Sequence, residues 1–295
     1  MKKLNVILVA MMATLMVSCG TTSQVPITGR QQTLMVSDGE VLSLANQQYQ
    51  AFMKSAKLST NSTNTAMVKR VGQKLATAVN TYLNNNGLSA EVKNFNWEFN
   101  LVQDKQVNAW CMPGGKIVVY EGLLPVTQDE ASLAIVLGHE IAHAVAKHSA
   151  EQLSTKMRQQ QGLQIGSAVA GMLGMGTNTQ AIVQAVVSQG FSFENLSYSR
   201  DHESEADYLG IIFAAMAGYN PDASVAFWQR MSQATGGGST SWLSTHPSDA
   251  TRIKQIQGWL PEARKYYNGG KNATNKMKVT KTIHISSKNN NKKKK

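Results

Sequence analysis

Apolar side chains recur at helical spacing in two early stretches, residues 38–54 and 64–83; in the second, Met67, Val68, Val71, Leu75, Val79 and Leu83 share one face. The period then shortens. Trp97, Phe99 and Leu101 alternate with polar residues, 107–112 and 116–120 are short apolar runs, and Asp104-Lys105 and Pro113-Gly114-Gly115 are turn signals between them. That pattern predicts a three-stranded meander. From Thr127 the helical period returns. Thr127 and Glu130 have the spacing of a capping box, and Leu133, Ile135, Val136, Leu137, Ile141, Ala142 and Val145 make the next helix apolar on almost every side, running to about residue 154. A second such helix follows Tyr198 and ends near Gly218; Asn220 caps and Pro221 opens another. The glycine-interrupted run 162–176 between the two apolar helices is too short to span a membrane. It is either a mobile lid over a cleft or plain helical packing.

The central apolar helix carries His139-Glu140-Ile141-Ala142-His143. Histidines at i and i+4 lie about 40° apart around a helix axis, so both imidazoles aim at one point, with Glu140 about 100° round from His139. Burying two imidazoles and a carboxylate in an apolar helix is costly without a partner that satisfies them, and a divalent metal is that partner. A catalytic zinc takes three protein ligands and leaves room for water, for which Glu140 is placed as general base. Glu203 is the best third ligand, with Asp207 one turn on, able to accept the outer N–H of a metal-bound imidazole, and Arg200 three residues before it. Glu205 is the rival carboxylate, but it points about 200° away from Glu203. His148 has the wrong spacing for a third histidine ligand and reads as a helix-surface residue; His202 reads as a surface residue or minor substrate contact.

Five stretches carry a resemblance: Val-Pro-Ile-Thr-Gly-Arg (25–30), Val-Asn-Ala-Trp-Cys-Met-Pro-Gly-Gly-Lys-Ile (107–117), Gly-His-Glu-Ile-Ala-His (138–143), Ser-Arg-x-x-Glu-x-x-Ala-Asp (199–207) and Thr-His-Pro (245–247). The sequence resembles the HtpX-like and CAAX-prenyl-protease-like zinc endopeptidases, peptidase family M48, and looks most like their periplasmic lipoprotein branch of the LoiP and YcaL type. The resemblance implies an α+β fold, a mostly helical gluzincin-type metallopeptidase domain with a small three-stranded sheet and a central zinc-binding helix. It implies one Zn²⁺ per chain with Glu203 as the third ligand beside His139 and His143. It also places Asn108 and Ala109 on an edge strand that pairs with extended substrate, and His246 close to the metal. There His246 would either stabilise the oxyanion or occupy the open metal position until substrate arrives.

The ends change the picture of where such a domain works. Met1-Lys2-Lys3, an apolar run over 4–17 and Ser18-Cys19-Gly20 have the form of a lipoprotein signal peptide (1–18), cleaved before Cys19 and lipidated on it. Residues 19–37 are expected as an extended tether, 38–268 as the metallopeptidase domain and 269–295 as a disordered lysine-rich tail. Only Cys19 and Cys111 exist, so no intrachain disulfide follows, and Cys111 is expected as a small buried strand residue. The net charge of +11 is concentrated: nine lysines fall in 271–295, leaving +2 for the rest, so nothing supports nucleic-acid binding by the domain. The expected partners are misfolded or unassembled envelope proteins as substrates and a membrane through the lipid anchor, facing the periplasm of a bacterium. A chaperone or assembly factor using the same cleft is the competing function, and a zinc hydrolase of cell-wall peptides is a third. Glu140 favours the peptidase, because a pure binder has no need of it.

Overall fold

The computed structural model describes residues 20–169, 179–234, 241–246 and 251–267. The expected leader and Cys19, the lysine tail and residues 170–176 of the 162–176 lid candidate lie outside them.

The described residues open with a β-hairpin, β1 (Thr21–Gln24) and β2 (Gln31–Leu34), paired from Thr21↔Leu34 to Gln24↔Gln31. This corrects the expected tether over 19–37. The hairpin turn folds back on the domain because Val25, Ile27 and Thr28 are buried there, the first two inside the main apolar core. Two long helices follow, α1 (Asp38–Ser55), with a Ser37–Glu40 capping box, and α2 (Ser62–Asn85), capped by Asn61. Both match their apolar periodicity.

After the single-turn helix α3 (Ser89–Val92) come strands β3 (Glu98–Val102), β4 (Ala109–Met112) and β5 (Lys116–Tyr120). They do not form the expected meander. The order is β3-β5-β4, with β3 parallel to β5 and β4 antiparallel to it. Gly114 and Gly115, at φ 90° and 80°, close the β4–β5 hairpin, and the segment after β3 crosses over so that β3 takes the far side of β5. Every residue of β4 and β5 is buried, which is why they read as apolar runs rather than alternating ones. One sheet face (Phe99, Leu101, Ala109, Cys111, Ile117, Val119) joins the core built on α2; the other (Val102, Trp110, Met112, Val118, Tyr120) packs on α1.

A short helix α4 (Leu124–Thr127) contains Thr127, whose hydroxyl donates to the Leu124 carbonyl instead of capping the next helix. The cap is Asp129, accepting from the Ser132 N–H at 2.7 Å, and it starts α5 (Glu130–Val145). Nor does α5 run on to residue 154. It ends at Ala146; Lys147 adopts φ 56°, its ammonium held by Asp38 and Glu91, and a separate helix α6 (His148–Val169) begins. Then come α7 (Thr179–Ser188) and α8 (Arg200–Met216), the latter capped by Ser199. Helices α9 (Ala223–Ala234), α10 (Ser241–Thr245) and α11 (Arg252–Ala263) complete the described fold. It is mostly helical with a small sheet, as the periodicity predicts, and α5 and α8 cross at its centre.

Candidate metal centre

Helix α5 is apolar all round, and its motif residues are buried with it: His139, Glu140 and His143 are each at most 2% exposed. Helix α8, buried along nearly its whole length, brings Glu203 and Asp207 to the same place. Short α10 delivers His246 from a third direction, the ring stacked on Trp242 with centroids 4.3 Å apart. The outcome is a buried set of four donors, His139, His143, Glu203 and His246, whose ligand atoms all lie within 4.8 Å of one another.

The contacts inside the set are short. His139 Nε2 is 3.1 Å from His143 Nε2 and 3.3 Å from His246 Nδ1. Glu203 oxygens lie 3.0 Å from His246 Nδ1, 3.3 Å from His143 Nε2 and 3.5 Å from His139 Nε2. Four donors each about 2.0–2.1 Å from a tetrahedral metal would stand about 3.3–3.4 Å apart, so the donor atoms fit such an ion. Proton placement points the same way. His139 Nδ1 lies 2.9 Å from Asp207 Oδ1, which can only accept, so Nδ1 keeps its proton, and once the proton on Nε2 is given up to a metal it is Nε2 that presents a lone pair to the cluster. Lone pairs from imidazole and carboxylate facing one another in a dry pocket need a shared cation.

A profile of Peptidase family M48 matches residues 62–260, which include the whole donor set. The chain belongs to that family. Mitochondrial metalloendopeptidase OMA1 of Schizosaccharomyces pombe is 37% identical over 170 residues, covering 57% of this chain and 48% of that protein. Metalloendopeptidase OMA1, mitochondrial, of Homo sapiens is 30% identical over 246 residues, covering 81% of this chain and 46% of that protein. A putative beta-barrel assembly-enhancing protease of Vibrio cholerae is 29% identical over 182 residues, covering 59% and 38%. The chain thus spans about half or less of each relative's length.

Electrostatics within the M48 site follow from burial set against close charge. Burial disfavours an imidazolium at His139, but the Glu203 and Asp207 carboxylates outweigh it and raise its pKa to about 9 without a metal. Burial, together with the neighbouring His139 and His148, holds His143 well below the ordinary histidine range. For Glu203 burial is again opposed, by His246 and His139, and its pKa falls well below the usual carboxylate value. Glu140 is the reverse: burial pushes it up, with only partial relief from His246 and His139. Among the described residues its Oε1 has no hydrogen-bond partner; it lies 3.5 Å from His246 Nε2, so the carboxylate stands beside the donors but does not join them.

Several residues sit differently from their sequence reading. His148, expected on a helix surface, is wholly buried, with Nδ1 2.8 Å from Nδ1 of His143, because the break at Lys147 turns it inward. Glu205, the rival carboxylate, faces away from the donors and receives His148 Nε2 at 2.9 Å. His202 is buried too, bonded to Glu151 and stacked on His148. Arg200 is exposed. The cation that serves this site is Arg252, which donates to both oxygens of Asp207 at 2.6 and 2.9 Å and to Glu203 at 3.1 Å, its guanidinium 3.6 Å over the Trp228 ring. No local motif marks it; a single arginine opening an amphipathic helix carries no signal of its own. Asn108 and Ala109 are buried; β4, which Ala109 opens, is an edge of the sheet and packs on α5, and a backbone N–H of Cys111 faces Glu140. Cys111 is buried and free.

Proposed function

We propose that this chain is a zinc-dependent endopeptidase that cuts extended segments of misfolded or unassembled envelope proteins. The observation that carries the reading is the buried convergence of imidazole nitrogens and the Glu203 carboxylate, with Glu140 alongside but outside the donor set. His139, His143 and Glu203 would hold Zn²⁺, which when bound supplies Lewis acidity to the attacking water and the scissile carbonyl. Glu140, kept more basic than an ordinary glutamate by burial, takes the proton of the attacking water and passes it to the departing amine. Asp207 and Arg252 keep His139 and Glu203 oriented. The edge strand β4, with Asn108 just before it and Ala109 at its start, would pair with substrate backbone, which selects for unfolded chain rather than for sequence.

His246 belongs to the donor set rather than standing off from it. That favours the role of a residue occupying the position that water and substrate must take, over that of an oxyanion donor. The envelope location and lipid anchor rest on residues 1–19 and on the presence of a beta-barrel assembly-enhancing protease among the relatives. The lipoprotein branch of the family is the finer placement these features support.

Digestion of unfolded casein by the purified chain tests the reading. Activity should vanish with o-phenanthroline and return with Zn²⁺, and Glu140→Gln should bind zinc normally while losing on the order of 10²–10⁴ in kcat. Casein left intact by zinc-loaded protein, or cleaved as well by Glu140→Gln, would sink it.

A further inference from the structure

Each of the two motif histidines is backed by a partner behind its ring, but the partners differ. Asp207 backs His139 directly. His143 is backed by a second imidazole, and the proton order in that contact can be worked out from the far end. Glu205 Oε2 can only accept, so His148 Nε2, 2.9 Å away, carries a hydrogen. Two N–H groups cannot face each other across a contact as short as that between His148 Nδ1 and His143 Nδ1, and His143 as a ligand needs its own proton on Nδ1 to leave Nε2 bare, so His148 Nδ1 is the bare one. The 2.8 Å contact between the two Nδ1 atoms then has His143 as donor and His148 as acceptor. With its proton spent on that bond, His143 turns an unprotonated Nε2 to His139 and Glu203.

Glu205 is anchored in turn by the N-terminal hairpin. The Thr28 hydroxyl donates to Oε1 at 2.5 Å and Arg30 Nε to Oε2 at 2.7 Å. Arg30 also makes a two-pronged bond to Glu151, which receives His202 from the ring stacked on His148. The turn that presents Thr28 and Arg30 holds Ile27 at φ 69°, a strained setting for a β-branched residue that the surrounding packing must sustain. Glu205 is wholly buried, so its bonds are not an exposed ion pair of small consequence.

Resting on the metal-site reading above, we propose that His148 and Glu205, anchored by Thr28 and Arg30, form an imidazole–carboxylate relay that sets the tautomer and orientation of His143. The hairpin is then a working part of the metal centre. All four are positioning residues, since none touches the donor set except through His143. The interposed ring has a chemical consequence: it fixes the proton as a carboxylate would while keeping the charge of Glu205 one ring removed from Glu203.

Zinc affinity of the full chain, measured by competition with a chromophoric chelator, and the visible spectrum of the Co²⁺-loaded protein test this without reference to proteolysis. His148→Leu and Glu205→Gln should each weaken zinc binding about 10–100-fold and shift the Co²⁺ bands. His148→Asn, whose amide oxygen can accept the His143 N–H, should recover affinity to within a few-fold of wild type. Thr28→Val combined with Arg30→Met should weaken binding several-fold with the Co²⁺ bands shifted in the same direction. Affinities within twofold of wild type and unchanged spectra for His148→Leu and Glu205→Gln would overturn the relay. So would His148→Asn binding no better than His148→Leu, which would reduce His148 to a packing role. Should His148→Leu fail to fold, the near-isosteric Glu205→Gln and His148→Asn carry the decision. A wild-type chain that takes up no zinc removes the metal-site reading itself, and the relay with it.

Discussion

Gly138 and Gly210 touch backbone to backbone where α5 crosses α8, and no side chain fits between them. A Cβ on Gly138 would stand 2.5 Å from the Gly210 carbonyl oxygen, and one on Gly210 would stand 2.7 Å from the His139 backbone nitrogen. The contact immediately precedes the first motif histidine, so it sets how near α8 brings Glu203 and Asp207 to α5. Backbone cannot give way as a flexible side chain can. Gly210→Ala should therefore cost about 1–3 kcal/mol by overpacking and lower the melting temperature by roughly 2–10 °C. Zinc affinity should fall with it, because the helices separate at the donor set. Calorimetry and chelator competition on the same sample check both.

Arg252 neutralises two buried carboxylates at once. Removing it leaves Asp207 and Glu203 without their shared cation, and breaking a buried pair from one side costs about 3–5 kcal/mol. Arg252→Met, which keeps most of the stem over Trp228, should unfold at clearly lower denaturant than wild type. Arg252→Lys should recover only part of the loss, since one ammonium cannot reproduce the fork on Asp207. Urea midpoints of the three proteins decide.

His246 lies among the donors with its ring stacked on Trp242. If it fills the position that substrate needs, His246→Ala should keep zinc and cleave casein at least as fast as wild type. A loss of tenfold or more in kcat with zinc retained would assign it to catalysis instead.

The pH dependence of the metal-free protein has a defined sign. His139 is raised from 6.5 to about 9 by Glu203 and Asp207, so the folded state binds its proton more tightly than the unfolded state. The stabilisation it contributes is complete below pH 6.5 and is lost as pH rises through about 9. Metal binding must displace that proton. Titration of the metal-free chain with Zn²⁺ at pH 7.5 should therefore release protons in excess of those expected from an ordinary histidine, and apparent affinity should climb between pH 7 and 9. Calorimetry in buffers of different ionisation enthalpy measures the release; none at pH 7.5 would contradict the raised value.

The motif on α5 and the Glu203–Asp207 pair on α8 were legible in one dimension, because helical backbone geometry ties residues one turn apart to a single face whatever the rest of the chain does. The same rule made α1, α2 and the apolar helices readable, and turn chemistry located the strands. It failed where a helix was assumed to continue. Lys147 takes a left-handed conformation that Asp38 and Glu91, far away in the chain, stabilise, and that one kink turns His148 from an outward residue into the partner of His143.

What the chain determined by itself was thus local: which residues lie on one face of one helix, and that two such faces were too polar for an apolar interior unless something bound them. Tertiary packing alone decided which separate pieces met. It placed β5 between β3 and β4, seated His246 among the donors, brought Arg252 onto both carboxylates, and pressed a hairpin expected as loose tether against Glu205. The reason is physical. A buried polar residue and an exposed one look alike in sequence, and only the three-dimensional supply of partners tells which of them the interior can hold.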